Sequence, residues 1–577
     1  MENNFCIKCM EKLPDGANYC PKCGQKVGEP ISPNVTKPKK KKVLTAVIIA
    51  AVLIIIAVAA YPSAKEVYVR SCFDKAVKYE NGDGVEQDYA KAMEWYIKAA
   101  DNGNADAMCS IGVMYYCGNG VETNYTKAIE WYKRAADAGN TTAMNNIGNM
   151  YDSGNGVGLE YAKAMEWYKK AANGGNAWAM YKIGNMYYEG NGVEQDCEKA
   201  MEWYEKAADA GNADAMSNIG YLYDCGKGVE QNYETAMSWY NKAAGYDNAT
   251  AMNNIGSLYY WGNGVERNYE KAMEWYAKAA NGGDATAMCN IGYLYDCGKG
   301  VEQDYEKAMS WYKKAADGNN AMAMYNIGAM YEYGNGAEQD YGKAMEWYLK
   351  AADAGDANAM YSLGNLYCDG SVVEQDYAKV MEWYKKAADG GVTSAMNNVG
   401  LLYDNGQGVE QDFAKAMSWY KKAASNGNSV AMCNIGFMYH FGRGIDRDYA
   451  KAMEWYKKAA DAGNVDAMNW VGFLYYSGKG VEQDGEKATE WYKKAAYANN
   501  AEAVSNTDAE IRARIDSMVP ENTTSNAGSG DSRSLNTTGL SSAQIERAAE
   551  LGYNIGKRDI SVPFGMGGVK AISECST

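Results

Sequence analysis

A tryptophan returns every 36 residues without a single slip: Trp95, Trp131, Trp167, Trp203, Trp239, Trp275, Trp311, Trp347, Trp383, Trp419, Trp455 and Trp491. A fixed period in the range of about 20–50 residues confines a chain to stacked repeat architectures. Because no insertion interrupts the spacing, every unit must take the same shape. The cleanest copy of the repeated phrase runs from Asp448 to Gly463, Asp-Tyr-Ala-Lys-Ala-Met-Glu-Trp-Tyr-Lys-Lys-Ala-Ala-Asp-Ala-Gly.

The unit from Asp88 to Thr123 shows what one repeat must be. Asp88 is a helix N-cap type, and its equivalents are Asp or Asn everywhere except Glu160. Tyr89, Ala92, Tyr96 and Ala99/Ala100 then recur at helical spacing and form one apolar stripe. The Gly103-Asn104 step ends this first helix. A second helix carries Ala107, Met108, Ile111, Gly112 and Tyr115 on one face, and Gly118-Asn119-Gly120 closes it with positive-φ residues. The unit is a helical hairpin, and no hairpin buries its stripe alone, so neighbours must stack. Position 112 is Gly in eleven units, although a mid-helix glycine costs about 1 kcal/mol against alanine. Two helix backbones are expected to approach closely there. The expected fold is all-α, a right-handed α/α superhelical solenoid of 36-residue hairpins.

The pattern Ala-Met-Glu-Trp-Tyr-x-Lys-Ala-Ala-x-x-Gly-Asn-x-x-Ala-Met-x-x-Ile-Gly-x-x-Tyr-x-x-Gly-x-Gly-Val resembles the Sel-1-like repeats, relatives of the tetratricopeptide repeats, over residues 71–519. The resemblance implies an α/α superhelix that serves as a protein-interaction scaffold, and it names no partner.

Charge is unevenly placed. Residues 1–70 hold eleven Lys/Arg against five Asp/Glu, a balance of +6, so the rest of a chain of net charge −16 carries −22. The repeats are therefore an acidic surface, which argues against nucleic acid as their partner.

Before the repeats, residues 1–27 contain Cys6-Ile-Lys-Cys9 and Cys20-Pro-Lys-Cys23. Two such knuckles have the spacing of a tetrahedral four-cysteine zinc site. Cys6, Cys9, Cys20 and Cys23 would hold one structural Zn2+ with no open position, and so short a segment needs the metal to fold. The site resembles the zinc ribbons at the N-termini of many bacterial membrane proteins. A basic linker (28–42) ends in Lys39-Lys-Lys-Lys42. Val43 to Ala60 then runs eighteen residues without a charge, just enough to cross a hydrocarbon core of about 30 Å. A cleaved signal peptide is the competing reading, but a leader that encloses a metal site does not fit it. The lysines predict a cytoplasmic N-terminus, which makes this a single-pass membrane protein with extracytoplasmic repeats. Residues 61–87 read as a degenerate capping half-repeat and 88–519 as twelve repeats, the last a cap. Residues 520–540 read as a disordered linker and 541–577 as a short helix and tail.

Cys109/Cys117 and Cys289/Cys297 lie eight apart. In disulfide-rich secreted members of the family such a pair bridges the hairpin, as the resemblance implies. Here both members fall on the second helix, about 12 Å apart by helical rise, beyond disulfide reach. They read as free thiols, which sits awkwardly with an oxidising compartment.

No catalytic constellation emerges. The chain has one histidine, His440, and general acid–base or metal catalysis leans on that residue. Ser310-Trp-Tyr-Lys313 and Ser418-Trp-Tyr-Lys421 match a Ser-x-x-Lys nucleophile motif only because Ser replaces Glu in the repeated phrase. The chain reads as a non-enzyme.

Variation between units is the remaining signal. Positions 109, 113, 116 and 117 of the second helix share a face, and that face changes from unit to unit while the packing stripe does not. It offers Tyr181, Tyr221, Trp261, Tyr293, Tyr325, Tyr333, Tyr361, Phe437, Phe441 and Phe473 as partner-binding candidates. Drift on a tolerant surface, with the aromatics packed between units, is the alternative. The expected function is a membrane-anchored scaffold that binds proteins or peptides. Other readings are a signalling protein coupling an envelope ligand to the zinc ribbon and, with less support, a cell-wall enzyme.

Overall fold

The computed structural model describes residues 18–19, 65–370 and 373–499. Cys6, Cys9, Cys20 and Cys23, the predicted span 43–60, the linker 520–540 and the tail 541–577 lie outside them. No helix among the described residues is long and apolar enough to cross a membrane. The chain divides into two compact units, 1–167 and 168–577, and each is built in the same way. Every regular element described between 65 and 499 is an α-helix.

In the first unit, α1 (65–81) precedes α2 (Tyr89–Ala100), α3 (Ala105–Cys117) and α4 (Tyr125–Asp137). The boundaries follow from the caps that the sequence advertises. Asp88 accepts a hydrogen bond from Lys91 N at 2.9 Å, and Asn104 accepts one from Ala107 N at 2.6 Å. Both satisfy donors that a helix start leaves open. Gly118 at φ 80° closes α3, and its N–H and that of Asn119 both donate to Met114 O. The same alternation of A helix (carrying the periodic Trp) and B helix (carrying the central Gly) continues to Gly485–Asn499 in the second unit.

One closing device was not anticipated. In the Gly-x-Gly-Val-Glu-Gln-Asp loops the glutamine donates back to a carbonyl in the last turn of the preceding B helix. Gln303 Nε2 reaches Asp296 O and Gln231 Nε2 reaches Asp224 O, each at 2.7 Å. The loop glutamine therefore acts as a C-terminal cap.

The predicted stripes are the core: Ala92, Tyr96, Ala99 and Ala100 of α2 are buried, with Ala107, Met108, Ile111 and Met114 of α3. The role expected of the central glycine needs correction. A Cβ on Gly112 would stand 2.5 Å from Cδ1 and Cε1 of Tyr132, and on Gly292 it would stand 2.7 Å from the same atoms of Tyr312. The glycine makes room for a tyrosine ring from the A helix of the following unit, not for a second backbone. A flat ring lying on a bare helix surface gives the close packing that interiors require. It also moves the natural frame of the repeat. α3, and in the second unit every B helix from Ala213–Cys225 onward, packs more closely on the A helix after it than on the A helix before it, so the tighter hairpin spans the seven-residue loop rather than the short one.

The candidate partner-binding face

The B-helix columns picked out as variable divide into five environments. Tyr181, Tyr325 and Tyr361 lie against the core tyrosines of the next A helix, with ring centroids 6.0 Å from Tyr204, 5.6 Å from Tyr348 and 5.5 Å from Tyr384. These three are half-buried packing between units. Phe437, Phe441 and Phe473 gather around Trp470, at 5.8, 5.9 and 5.7 Å, and Phe473 is buried. His440 lies within this knot, 5.0 Å from the Trp470 ring. Trp261 stands edge-on to the buried Tyr260 at 4.8 Å. Tyr333 is 56% exposed.

Tyr221 and Tyr293 belong to a fifth environment, and it occurs twice. Tyr221 pairs with Tyr188 and Tyr293 with Tyr260, each at 6.3 Å between centroids. Over the first pair lies Lys227, its Nζ 3.1 Å from Tyr188 Oη and 3.5 Å from Tyr221 Oη. Over the second lies Lys299, 2.6 Å from Tyr260 Oη. Lys227, Lys299 and Tyr188 were not among the residues singled out from sequence. The signal was available: residues 219–231 and 291–303 are the same thirteen-residue string, Ile-Gly-Tyr-Leu-Tyr-Asp-Cys-Gly-Lys-Gly-Val-Glu-Gln.

Two pairs of amides on the face are engaged with each other. Asn290 Nδ2 donates to Asn253 Oδ1 and Asn434 Nδ2 to Asn397 Oδ1, each at 3.0 Å across successive B helices. Among the described residues, no group of three or more His, Cys, Asp or Glu is placed to hold a metal.

Beneath the face runs a line of carboxylates. The hydroxyl of the next unit's core tyrosine donates to an acid at the 116 position: Tyr240 to Asp224 and Tyr312 to Asp296, both at 3.2 Å, and Tyr420 to Asp404 at 3.3 Å. Glu332 takes the same bond from Tyr348, and Glu80 from Tyr96. Burial holds Asp224, Asp296 and Glu332 above the ordinary carboxylate range, and does the same to the N-cap residues Asp284 and Asp356. Exposed N-caps shift the other way. Backbone and ammonium hydrogen bonds from the lysine three residues on hold Asp88, Asp304 and Asp448 below 3.8.

These opposite shifts predict a stability maximum on the acid side of neutrality. A group with a raised folded pKa binds protons more readily folded than unfolded, so its contribution grows as pH falls through that value. A depressed group loses its contribution only as pH falls below its unfolded value. The melting temperature is expected to climb from about pH 7 to about pH 5 and to fall below about pH 4. Asp296→Asn keeps an acceptor for Tyr312 without the charge, so it should flatten the climb. An unchanged climb would leave the effect with the other raised carboxyls, Asp224, Glu332, Asp284 and Asp356, or with relief of the net charge of −16.

The thiols expected at Cys109, Cys117, Cys289 and Cys297 are found as thiols. Burial raises Cys109 and Cys289 to about 12. Both are buried and held in the thiol form, which blunts their reactivity.

The Sel1 repeat profile matches twelve consecutive stretches: 72–104, 105–140, 141–176, 179–212, 213–245, 249–284, 285–320, 321–356, 357–392, 393–428, 429–464 and 465–500. The chain belongs to the Sel1 repeat family. Most of the matched stretches begin at or near a B helix and end after the following A helix, which is the tighter pairing described above. The Sel1 chain is similar to a protective antigen of uropathogenic Escherichia coli strains that displays an SLR fold. The identity is 30% over 82% of this chain and 99% of that one, with a TM-score of 0.46. It is 34% identical to a Sel1 repeat protein from Oxalobacter formigenes, over 44% of this chain and 100% of that one, with a TM-score of 0.40. An immunity protein from Pseudomonas aeruginosa is 23% identical over 37% of this chain and 81% of that one, with a TM-score of 0.29. No curated protein matches the chain significantly.

Proposed function

We propose that this Sel1 repeat protein is a membrane-anchored scaffold whose B-helix face captures protein or peptide partners outside the cytoplasm, with a structural zinc ribbon on the cytoplasmic side. The observation that carries the binding function is the contrast between columns. Where packing is decided, as at Gly112 and Tyr132, the residue is the same in unit after unit. On the adjoining face the residue changes from unit to unit, as in the column Val113, Asn149, Asn185, Tyr221, Ser257, Tyr293, and it includes the partly exposed aromatics Tyr221, Trp261 and Tyr293. Aromatic side chains at a partly open surface are the usual anchors of protein recognition.

The membrane and zinc parts rest on the sequence: the uncharged run 43–60, the lysines before it, and the four-cysteine spacing at Cys6, Cys9, Cys20 and Cys23. Burial shields the thiols of Cys109 and Cys289, while those of Cys117 and Cys297 are exposed, so the extracytoplasmic placement rests on the lysines before the uncharged run.

Crosslinking the intact protein in membranes, followed by identification of what is attached, tests the scaffold reading. Capture should fail when Tyr221, Trp261 and Tyr293 are all changed to Ser while helical content stays nearly constant. Topology is checked with a membrane-impermeant maleimide on intact cells, which should label the exposed Cys117. Labelling only after lysis would put the repeats in the cytoplasm. Elemental analysis of the full chain should give one zinc, lost in Cys20→Ser.

A further inference from the structure

We infer that the two notches Tyr188–Tyr221–Lys227 and Tyr260–Tyr293–Lys299 form a paired receptor for two carboxylates of one extended acidic peptide. The inference rests on the reading of the B-helix face as a protein-binding surface, and specifies what that surface takes.

Three observations lead there. First, the notch is duplicated as a whole: an identical thirteen-residue string places the same tyrosine and lysine on alternate units, 72 residues apart. Each completes its notch with a tyrosine from the preceding B helix, Tyr188 or Tyr260.

Second, these two ammonium groups have no acidic partner. The residue at the equivalent loop position, Arg443, reaches Asp404 at 3.5 Å, and the A-helix lysines Lys199, Lys307, Lys343 and Lys451 each pair with an aspartate. Among the described residues, no carboxylate lies within ion-pair distance of Lys227 or Lys299, although the chain carries a net charge of −16. Their contacts are phenol oxygens and aromatic faces. Lys227 lies 5.5 Å from the centroids of both Tyr188 and Tyr221, and Lys299 lies 5.0 and 5.2 Å from those of Tyr260 and Tyr293. The nearby acids are turned away: Asp224 and Asp296 accept from Tyr240 and Tyr312 beneath the face.

Third, the donors suit a carboxylate. An ammonium has three N–H groups, and a phenol oxygen that accepts one of them still has its own O–H to donate. The first notch thus offers a positive charge and two phenol hydroxyls at a half-buried surface, and in the second Lys299 and Tyr293 are half-buried above the buried Tyr260; a charge-assisted bond is strengthened in such a setting.

The spacing between notches sets the ligand. The B helices Ala213–Cys225 and Ala285–Cys297 are two steps apart in the stack, with Ala249–Trp261 between them. At an interhelical distance of about 8–10 Å, that separates the notches by about 20 Å. An extended chain advances about 3.3–3.6 Å per residue, so the two acids should lie about six residues apart. Trp261, at the corresponding edge of the intervening helix, suits an apolar residue midway between them.

The test uses the full-length chain and a fluorescent synthetic peptide with two glutamates about six residues apart around a central phenylalanine. The peptide should bind, and its Glu→Gln counterpart should bind at least about tenfold more weakly. Lys227→Met and Lys299→Met should each cost about tenfold, with unchanged helical content. A peptide with its glutamates three apart should behave as a single-notch ligand: losing either lysine alone should cost it only about twofold, because the other notch remains, while losing both should remove its charge-dependent binding. Equal binding of the Glu and Gln peptides, no effect of either methionine substitution, or no binding at all overturns the inference. So does a phosphopeptide or anionic vesicle that binds through the same lysines while the Glu peptide does not. If the peptide fails while crosslinking still finds a partner lost on changing Tyr221, Trp261 and Tyr293, the scaffold reading stands and only the carboxylate receptor falls.

Discussion

Gly256→Ala is expected to lower the melting temperature, although alanine is the better helix former by about 1 kcal/mol. The added Cβ would stand 2.6 Å from Tyr276 Cδ1, 2.7 Å from Cε1 and 3.2 Å from the backbone oxygen of Ala272. Tyr276 is fully buried, so the ring has nowhere to go without separating two helices. Overpacking of this kind costs about 1–3 kcal/mol, enough to reverse the propensity gain, and Gly256→Leu should cost more. A double-mutant cycle with Tyr276→Ala isolates the cause. That substitution alone should be severe, about 3–5 kcal/mol for the loss of a buried ring. In its background, however, Gly256→Ala should become neutral or stabilising, because the collision is gone. The same penalty in both backgrounds would mean that the glycine accommodates something other than the tyrosine. Stability in a stacked array is roughly a sum of neighbour terms, so unfolding should begin at this joint.

The sequence told more about the fold than about its joints. The 36-residue tryptophan period, the Asp and Asn caps, and the Gly-x-Gly loops each act within a few residues, so local chemistry alone placed the helices correctly. The central glycine was seen to need room, but not for what. The tyrosine that fills the space lies about twenty residues on, in another helix, and no short-range pattern joins the two. The same reason hid the line of phenol–carboxylate bonds: Asp296 looks like one more acid on a variable helix, and only stacking brings Tyr312 above it.

The face was legible as a set of columns and not as a site. Tyr181, Tyr325 and Tyr361 lie on the same side of their helices as Tyr221 and Tyr293, one turn earlier in the repeat, yet they cover core tyrosines of the next unit. What separates the two groups is the neighbour: the notch tyrosines have a lysine from the loop beyond their own helix and a tyrosine from the helix before. Helical periodicity reports which side a residue faces, and says nothing about what stands opposite. The repeated thirteen-residue string was a better guide, because it preserves a whole surface patch.

Tyr312→Ala is expected to cost about 3–5 kcal/mol, since the ring is fully buried against Gly292 and its hydroxyl lies 3.2 Å from Asp296 Oδ2. Tyr312→Phe separates these two contributions. It keeps the ring and deletes the donor, which leaves a desolvated carboxylate short of a partner at a cost of about 1–3 kcal/mol. That cost should depend on pH. Burial raises the Asp296 pKa, so the carboxyl becomes neutral earlier than usual on acidification, and a neutral carboxyl misses the phenol less than an anion does. Tyr276 provides the control, because its hydroxyl faces Ser257 Oγ at 3.3 Å, a partner that does not ionise. Melting temperatures of the two Phe variants at about pH 7 and about pH 5 should therefore diverge, with the Tyr312→Phe penalty shrinking and the Tyr276→Phe penalty constant. Equal penalties at both pH values would show that the phenol–carboxylate bond adds nothing beyond the packing of the ring. The repeat-to-repeat joint would then be held by shape alone, with the acids of the 116 column merely tolerated beneath the face.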